Sequence, residues 1–129
     1  MKILILVIIA VVFGFLFLRS RPTAGLTPEG IARRVAAGEA VLIDVREPDE
    51  WTAGVAAPAL LLPSSDLRGE RRQWRAVLEK NRDKELILYC RSGNRSGQAA
   101  ALLAGEGFRV ANGGSFARWS ASGQLVRNP

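Results

Sequence analysis

The chemistry of this chain centres on its only cysteine, Cys90. The apolar run 86–89 precedes it, and the loop 91–96, which reads Arg-Ser-Gly-Asn-Arg-Ser, separates it from a stretch rich in alanine and leucine. A thiol between the end of a strand and the N-terminus of a helix lies where backbone N–H groups converge, and such a place lowers a thiol pKa. Arg91 and Arg95 add positive charge. The pattern therefore predicts a nucleophilic thiolate, against the alternative of a buried structural cysteine.

The residue types that are missing narrow this chemistry further. The chain has no histidine, which excludes Cys-His and Ser-His-Asp nucleophiles and any histidine-based metal site. A single cysteine also excludes an internal disulfide. We expect no metal and no cofactor, so a nucleophilic Cys90 must be activated by backbone dipoles and arginine alone.

Strands and helices are predicted to alternate around Cys90. Apolar runs indicate strands at 40–45, 60–62, 85–89 and 108–111. Helices are predicted from Thr27, from Glu47, from Asp66 as one long helix through Leu78, over 95–104 and around 116–119, with a loop at 54–58. This order favours an α/β fold, a parallel sheet flanked by helices. Ligands bind such sheets beyond the carboxyl ends of the strands, where 44–46 and Cys90 would meet.

The N-terminal part of the chain has a different composition. Residues 3–18 carry no polar side chain; Lys2 precedes them, and Arg19 and Arg21 follow. At a rise of about 1.5 Å per residue they cover about 24 Å, and flanking basic side chains can bridge the rest of a ~30 Å bilayer core. A cleaved signal peptide is the alternative, but bulky residues stand where a cleavage site needs small ones. The sequence thus predicts a transmembrane anchor at 1–21, a linker at 22–26 and a domain at 27–129.

Charge bears on partners and location. The chain has 18 basic and 12 acidic residues, a net charge of +6. Half of that excess lies in Lys2, Arg19 and Arg21, so the domain itself carries only +3 and no nucleic-acid partner is expected. The positive residues that follow the apolar run favour a single-pass membrane protein with its domain in the cytoplasm.

Three motifs taken together resemble a single-domain rhodanese of the thiosulfate sulfurtransferase type: 42–51 (Leu-Ile-Asp-Val-Arg-Glu-Pro-Asp-Glu-Trp), the loop 90–95, and Gly113-Gly114 followed by Trp119. The resemblance covers roughly 26–126. It implies a rhodanese-like domain in which Cys90 carries a persulfide. The sulfur would come from a small donor such as thiosulfate and pass to a thiophilic acceptor such as cyanide or a thiol, with a protein acceptor left open.

Roles for the remaining site residues follow from the motifs. The substrate-binding loop is expected to consist of Arg91, Ser92, Gly93, Asn94, Arg95 and Ser96, supported by Asp44 and Arg46. We expect Arg91 to attract an anionic donor and Arg95 to hold the loop by pairing with Asp44. Arg46 is expected to pair with Glu50. Ser96 either offers its hydroxyl to the sulfur or caps the helix.

Two further features of the sequence bear on the function. Residues 54–59 read Gly-Val-Ala-Ala-Pro-Ala where the family usually has Gly-His-Ile-Pro-Gly-Ala, so Val55 replaces a histidine and the hydrogen bonding of this loop is unsettled. The four residues between Cys90 and Arg95, one fewer than in tyrosine phosphatases, suit a single sulfur atom better than a phosphate. The alternative function is a membrane-tethered module that binds or senses a persulfide or an oxidised sulfur with little turnover.

Overall fold

The computed structural model describes residues 3, 5–9 and 26–129. Residues 5–9 are helical, but most of the anchor predicted at 1–21 and of the linker predicted at 22–26 lies outside the described residues. Within the described part of the chain, no helix is long and apolar enough to cross a membrane.

The domain alternates strands and helices, as the sequence predicts. The strands are β1 (Ala40–Asp44), β2 (Val55–Ala56), β3 (Leu60–Leu61), β4 (Glu85–Cys90), β5 (Val110–Ser115) and β6 (Val126–Arg127). The helices are α1 (Pro28–Ala36), α2 (Pro48–Trp51), α3 (Ser64–Arg68), α4 (Trp74–Lys80), α5 (Asn94–Gly105) and α6 (Phe116–Ala121). The predicted start of α1 is confirmed, because the Thr27 side chain accepts a hydrogen bond from the Gly30 N–H and Pro28 is the first helical residue.

Four strands form a parallel sheet in the order β3-β1-β4-β5. In its centre Asp44 of β1 lies opposite Tyr89 of β4, so the carboxyl ends of these two strands meet at one edge. The sheet is buried on both faces, which explains why β1 and β4 read as nearly continuous apolar runs.

The two faces of the sheet support separate cores, so the prediction of helices on both sides is confirmed. Along β4, Leu86, Leu88 and Cys90 face one cluster, which helices α3, α4 and α5 complete. Ile87 and Tyr89 face the other, which receives side chains from α1 and α6. Alternation along the strand therefore assigns Cys90 to the α5 face.

Three elements differ from the sequence prediction. The single helix predicted from Asp66 is divided into α3 and α4, because the Asp66 carboxylate accepts hydrogen bonds from the backbone N–H groups of 72–74 and so starts a second helix. The strand predicted at 108–111 begins and ends later, at Val110–Ser115. The segment predicted as a loop at 54–58 contains β2, which pairs antiparallel with β6 near the C-terminus.

Candidate active site

Cys90 is the last residue of β4, and its side chain is fully buried. Immediately after it the chain turns through residues 91–93 and enters α5 at Asn94. The thiol therefore lies directly below the N-terminus of a 12-residue helix. The sequence predicts this arrangement, in which unpaired N–H groups of the first helical turn face the sulfur.

Three donors surround the Cys90 sulfur. The Gly93 N–H lies 3.0 Å from Sγ, the Ser96 N–H 3.5 Å and the Ser96 hydroxyl 3.4 Å. Burial by itself raises the pKa of the Cys90 thiol, but the hydrogen bonds from Ser96 and from the loop N–H groups outweigh it, so the pKa lies below its ordinary value. An inert core cysteine has no such set of donors, and the geometry therefore favours a reactive thiolate.

Gly93 owes its place in the loop to its backbone conformation. Its φ of +93° lies in the left-handed region, and this conformation turns its N–H toward Sγ. A Cβ atom here would also touch the backbone of Gly114 at 3.7 Å, because the loop packs against the end of β5. The loop shape thus depends on a residue without a side chain at this position.

Arg95 is anchored differently from the sequence expectation. The predicted pair with Asp44 is not found; the guanidinium binds both carboxylate oxygens of Glu50, at 2.5 and 2.8 Å. The bidentate contact with Arg95 is the main reason that the pKa of Glu50 is lowered to about 2. Arg95 therefore ties the Cys90 loop to helix α2.

Asp44 and Arg46 form their own buried pair. The Arg46 guanidinium donates to both Asp44 oxygens, at 2.8 to 3.1 Å, and stacks 4.4 Å from the Phe116 ring. The expected pair between Arg46 and the Glu50 carboxylate is absent, since Arg46 donates instead to the carbonyl oxygens of Glu50 and Gly54. Both residues therefore brace the segment around α2, on the face of the sheet opposite Cys90, and Arg46 connects to the Cys90 loop through Glu50.

The remaining residues of the predicted substrate-binding loop lie at its solvent-exposed rim. Arg91, Ser92 and Asn94 are exposed, and among the described residues Arg91 takes part in no salt bridge. The Ser92 hydroxyl accepts a long hydrogen bond of 3.4 Å from the Asn94 N–H and does not contact the sulfur. In the described part of the chain no three Cys, Asp or Glu side chains come together as a metal site requires.

A residue that the sequence reasoning did not assign to the site is Asn112. Strand β5 has an irregular register, since Leu88 pairs with Asn112 but Tyr89 pairs with Gly114. Gly113 is the extra residue, and a Cβ there would lie 2.9 Å from the Ile87 side chain. This bulge brings the Asn112 amide to the loop, where it contacts both Gly93 and Ser96.

Comparison with known proteins decides the family. The family model of the rhodanese-like domain matches residues 27–122. The chain belongs to this family. A sulfurtransferase of Allochromatium vinosum is 36% identical over 104 residues, which cover 78% of this chain and 92% of that protein.

Solved structures support the same family. The rhodanese-related protein of Thermoplasma volcanium aligns with a TM-score of 0.66 at 27% identity, over 80% of this chain and 96% of its own. A human single-domain sulfurtransferase aligns with a TM-score of 0.60 at 28% identity, over 76% and 97%. The chain is thus a rhodanese-like domain of a sulfurtransferase family.

This rhodanese-like domain orders the segment 54–59 without the usual histidine. Val55 and Ala56 are fully buried and form β2. The Ala56 N–H donates to the Tyr89 hydroxyl at 2.9 Å, and Arg127 of β6 donates to the carbonyl oxygens of Ala57 and Ala59. Backbone pairing, these two side chains and Arg46, which donates to the Gly54 carbonyl oxygen, account for the hydrogen bonds of the segment.

Proposed function

We propose that the protein transfers a sulfane sulfur through a persulfide on Cys90. One observation carries the proposal: the Cys90 sulfur is the convergence point of the Gly93 N–H and of both Ser96 donors, at the N-terminus of α5. Donors in this arrangement stabilise the anion that starts the reaction and the anionic persulfide that it produces. Membership of a sulfurtransferase family supports the same reaction type.

The first step loads the enzyme. The Cys90 thiolate attacks the outer sulfur of thiosulfate; a new S–S bond forms, the S–S bond of thiosulfate breaks, and its electron pair leaves with sulfite. The lowered pKa of Cys90 supplies the thiolate without a general base, in a chain that has no histidine.

The second step transfers the persulfide sulfur to the acceptor. A thiophile such as cyanide or a thiolate attacks the outer persulfide sulfur, the Cys90 S–S bond breaks, and the electron pair returns to the Cys90 thiolate. With cyanide the product is thiocyanate. Cys90 is fully buried, so we propose that the donor and the acceptor are small at the reacting end, even where the acceptor thiol belongs to a protein.

Arg91 is our candidate for attracting the donor. It is exposed at the rim of the loop, and thiosulfate carries two negative charges. An unneutralised guanidinium at a pocket mouth raises the local concentration of such an anion. Asn94 and Ser92 share the rim and are proposed to contact the donor beside it.

Steady-state turnover tests the proposal. Purified protein should form thiocyanate from thiosulfate and cyanide, and Cys90→Ser, which replaces only the sulfur atom by oxygen, should abolish it. Thiocyanate formation at the full rate by Cys90→Ser would refute the role of Cys90. Loading of one sulfur without turnover for any cyanide or thiol acceptor would instead favour the sensing module.

We also propose, from the sequence alone, that residues 3–18 tether the domain to a membrane. Their uninterrupted apolar character and flanking basic residues support this. Full-length protein should remain in the membrane fraction after an alkaline carbonate wash, and release into the supernatant would contradict the tether. Protection of the domain from protease in right-side-out cells would support the cytoplasmic orientation.

A further inference from the structure

We propose that Asn112 is a positioning residue that sets two of the three donors around the Cys90 sulfur, the Gly93 N–H and the Ser96 hydroxyl. The inference rests on the proposed function and deepens it, because it concerns the residue that holds the sulfur-binding loop in its active shape. Asn112 does not touch Cys90 itself. It acts on the sulfur through Gly93 and Ser96.

The Asn112 amide makes three hydrogen bonds between β5 and the Cys90 loop. Its Nδ2 donates to the Gly93 carbonyl oxygen at 2.9 Å, and its Oδ1 accepts from the Ser96 hydroxyl at 2.8 Å and from the Gly114 N–H at 3.1 Å. Two of these partners belong to residues that also donate to Cys90 Sγ. One side chain therefore fixes the Gly93 backbone and the Ser96 hydroxyl at the same time.

The surroundings of Asn112 indicate a site built for it. The bulge at Gly113 changes the register of β5 directly after Asn112, next to the site. On the other side, Gly97 lets helix α5 approach, since a Cβ there would lie 3.1 Å from Asn112 Nδ2. Gly97 thus leaves room for this amide against the first turn of α5, and Gly113 permits the bulge that follows Asn112.

The Ser96 hydroxyl has one proton and two acceptors. It lies 2.8 Å from Asn112 Oδ1 and 3.4 Å from Cys90 Sγ. When the sulfur is neutral, the proton goes to Asn112; when the sulfur is a thiolate, it turns to the charge, and Asn112 Oδ1 keeps its bond from Gly114. The bond to Asn112 thereby holds the Ser96 oxygen within reach of the sulfur before the thiolate forms, and the bond from Asn112 Nδ2 to the Gly93 carbonyl oxygen persists in both states.

The test is the pH profile of Cys90 alkylation by iodoacetamide. Asn112→Ala should raise the thiol pKa by about half a unit or more, which lowers the alkylation rate below the pKa about threefold. The charged groups around the loop are unchanged by the substitution. They are Arg91, Arg95 with its partner Glu50, Glu47 beside that pair, and Arg118 close to Gly114. This assay needs no sulfur transfer, so the two claims can fail separately. A protein without turnover would refute the proposed function, but a raised thiol pKa in its Asn112→Ala variant would still support this inference.

Two further variants separate positioning from loss of stability. Asn81→Ala removes another asparagine hydrogen bond, from Asn81 Nδ2 to the Val77 carbonyl at the distant end of α4, and should lower stability without moving the thiol pKa. Gly97→Ala keeps Asn112 but adds a methyl group against its amide, and it should raise the thiol pKa by less than Asn112→Ala does. An unchanged pKa in Asn112→Ala overturns the proposal, and so does a lowered one, which would mean that the amide withholds the Ser96 proton from the sulfur.

Discussion

Replacing Ser96 by alanine tests how the site stabilises a thiolate. The change removes a hydroxyl 3.4 Å from Cys90 Sγ and keeps the Ser96 N–H, which is a backbone group. A hydrogen bond to a charged group contributes about 1.5–3 kcal/mol, and the long distance and the second acceptor, Asn112, place this one at the low end. Since about 1.4 kcal/mol corresponds to one pKa unit, Ser96→Ala should raise the Cys90 pKa by about one unit.

The assay is the rate of Cys90 alkylation as a function of pH. Ser92→Ala is the matched control, because it removes a serine hydroxyl from the same loop that does not contact the sulfur. Its profile should overlay that of the unchanged protein, with both variants checked for an unaltered melting temperature. An unchanged pKa in Ser96→Ala, or equal shifts in the two variants, would refute the reasoning that hydrogen bonds aimed at Sγ outweigh its burial.

Three further outcomes follow from the structure. Arg91→Ala should raise KM for thiosulfate more than KM for an uncharged donor, whereas Arg33→Ala, which removes an exposed arginine of helix α1, should change neither KM. Equal effects of Arg91→Ala on both donors would contradict its role. Gly113→Ala should lower the free energy of unfolding by about 1–3 kcal/mol, because the added methyl group would meet Ile87. Its control is Gly105→Ala at the end of α5, where a Cβ meets no atom within 4 Å, and this change should raise the free energy of unfolding by about 0.5–1 kcal/mol. Denaturant unfolding measures both, and similar values for the two variants would be inconsistent with the bulge. Arg95 lowers the pKa of Glu50 to about 2, so their pair should stabilise the fold fully above pH 4.5 and lose that contribution as the pH falls toward 2. For a partly exposed pair the contribution is about 1 kcal/mol. Glu50→Gln should flatten the dependence of the free energy of unfolding on pH in this range, and an unaltered dependence would refute the pairing.

Much of the fold could be predicted from the sequence because its signals are local. The cap at Thr27, the apolar runs of β1 and β4, and the strand-loop-helix order around Cys90 each depend on residues close together in the chain. The helix break after Arg68 was missed, since the Asp66 side chain reaches forward to residues 72–74 and creates a new helix start within a run that lacks proline.

The ion pairs show what local signals do not determine. Asp44, Arg46, Glu50 and Arg95 were all expected to support the loop, but the register of β1 against β4 decides which of them meet. The Asp44–Arg46 pair could have been predicted from sequence proximity, because Arg46 lies two residues beyond Asp44, the last residue of β1. Glu50 and Arg95 are 45 residues apart in the chain and meet because β1 pairs with β4. No local sequence pattern predicts that contact.

Asn112 was missed for a related reason. The glycines after it weaken the strand pattern, so the strand predicted at 108–111 ended just before Asn112, where the structure has a bulged strand that continues to Ser115. The pair Gly113-Gly114 was the available signal, because consecutive glycines beside a site often mark a close backbone approach.

The mass of the intact protein after a single loading with thiosulfate tests the central claim most directly. The account predicts a gain of one sulfur atom per chain, confined to Cys90, absent from Cys90→Ser, and lost on addition of cyanide with release of an equal amount of thiocyanate. A sulfur gain that persists in Cys90→Ser, or no gain in protein whose Cys90 is shown to be reduced, would contradict it.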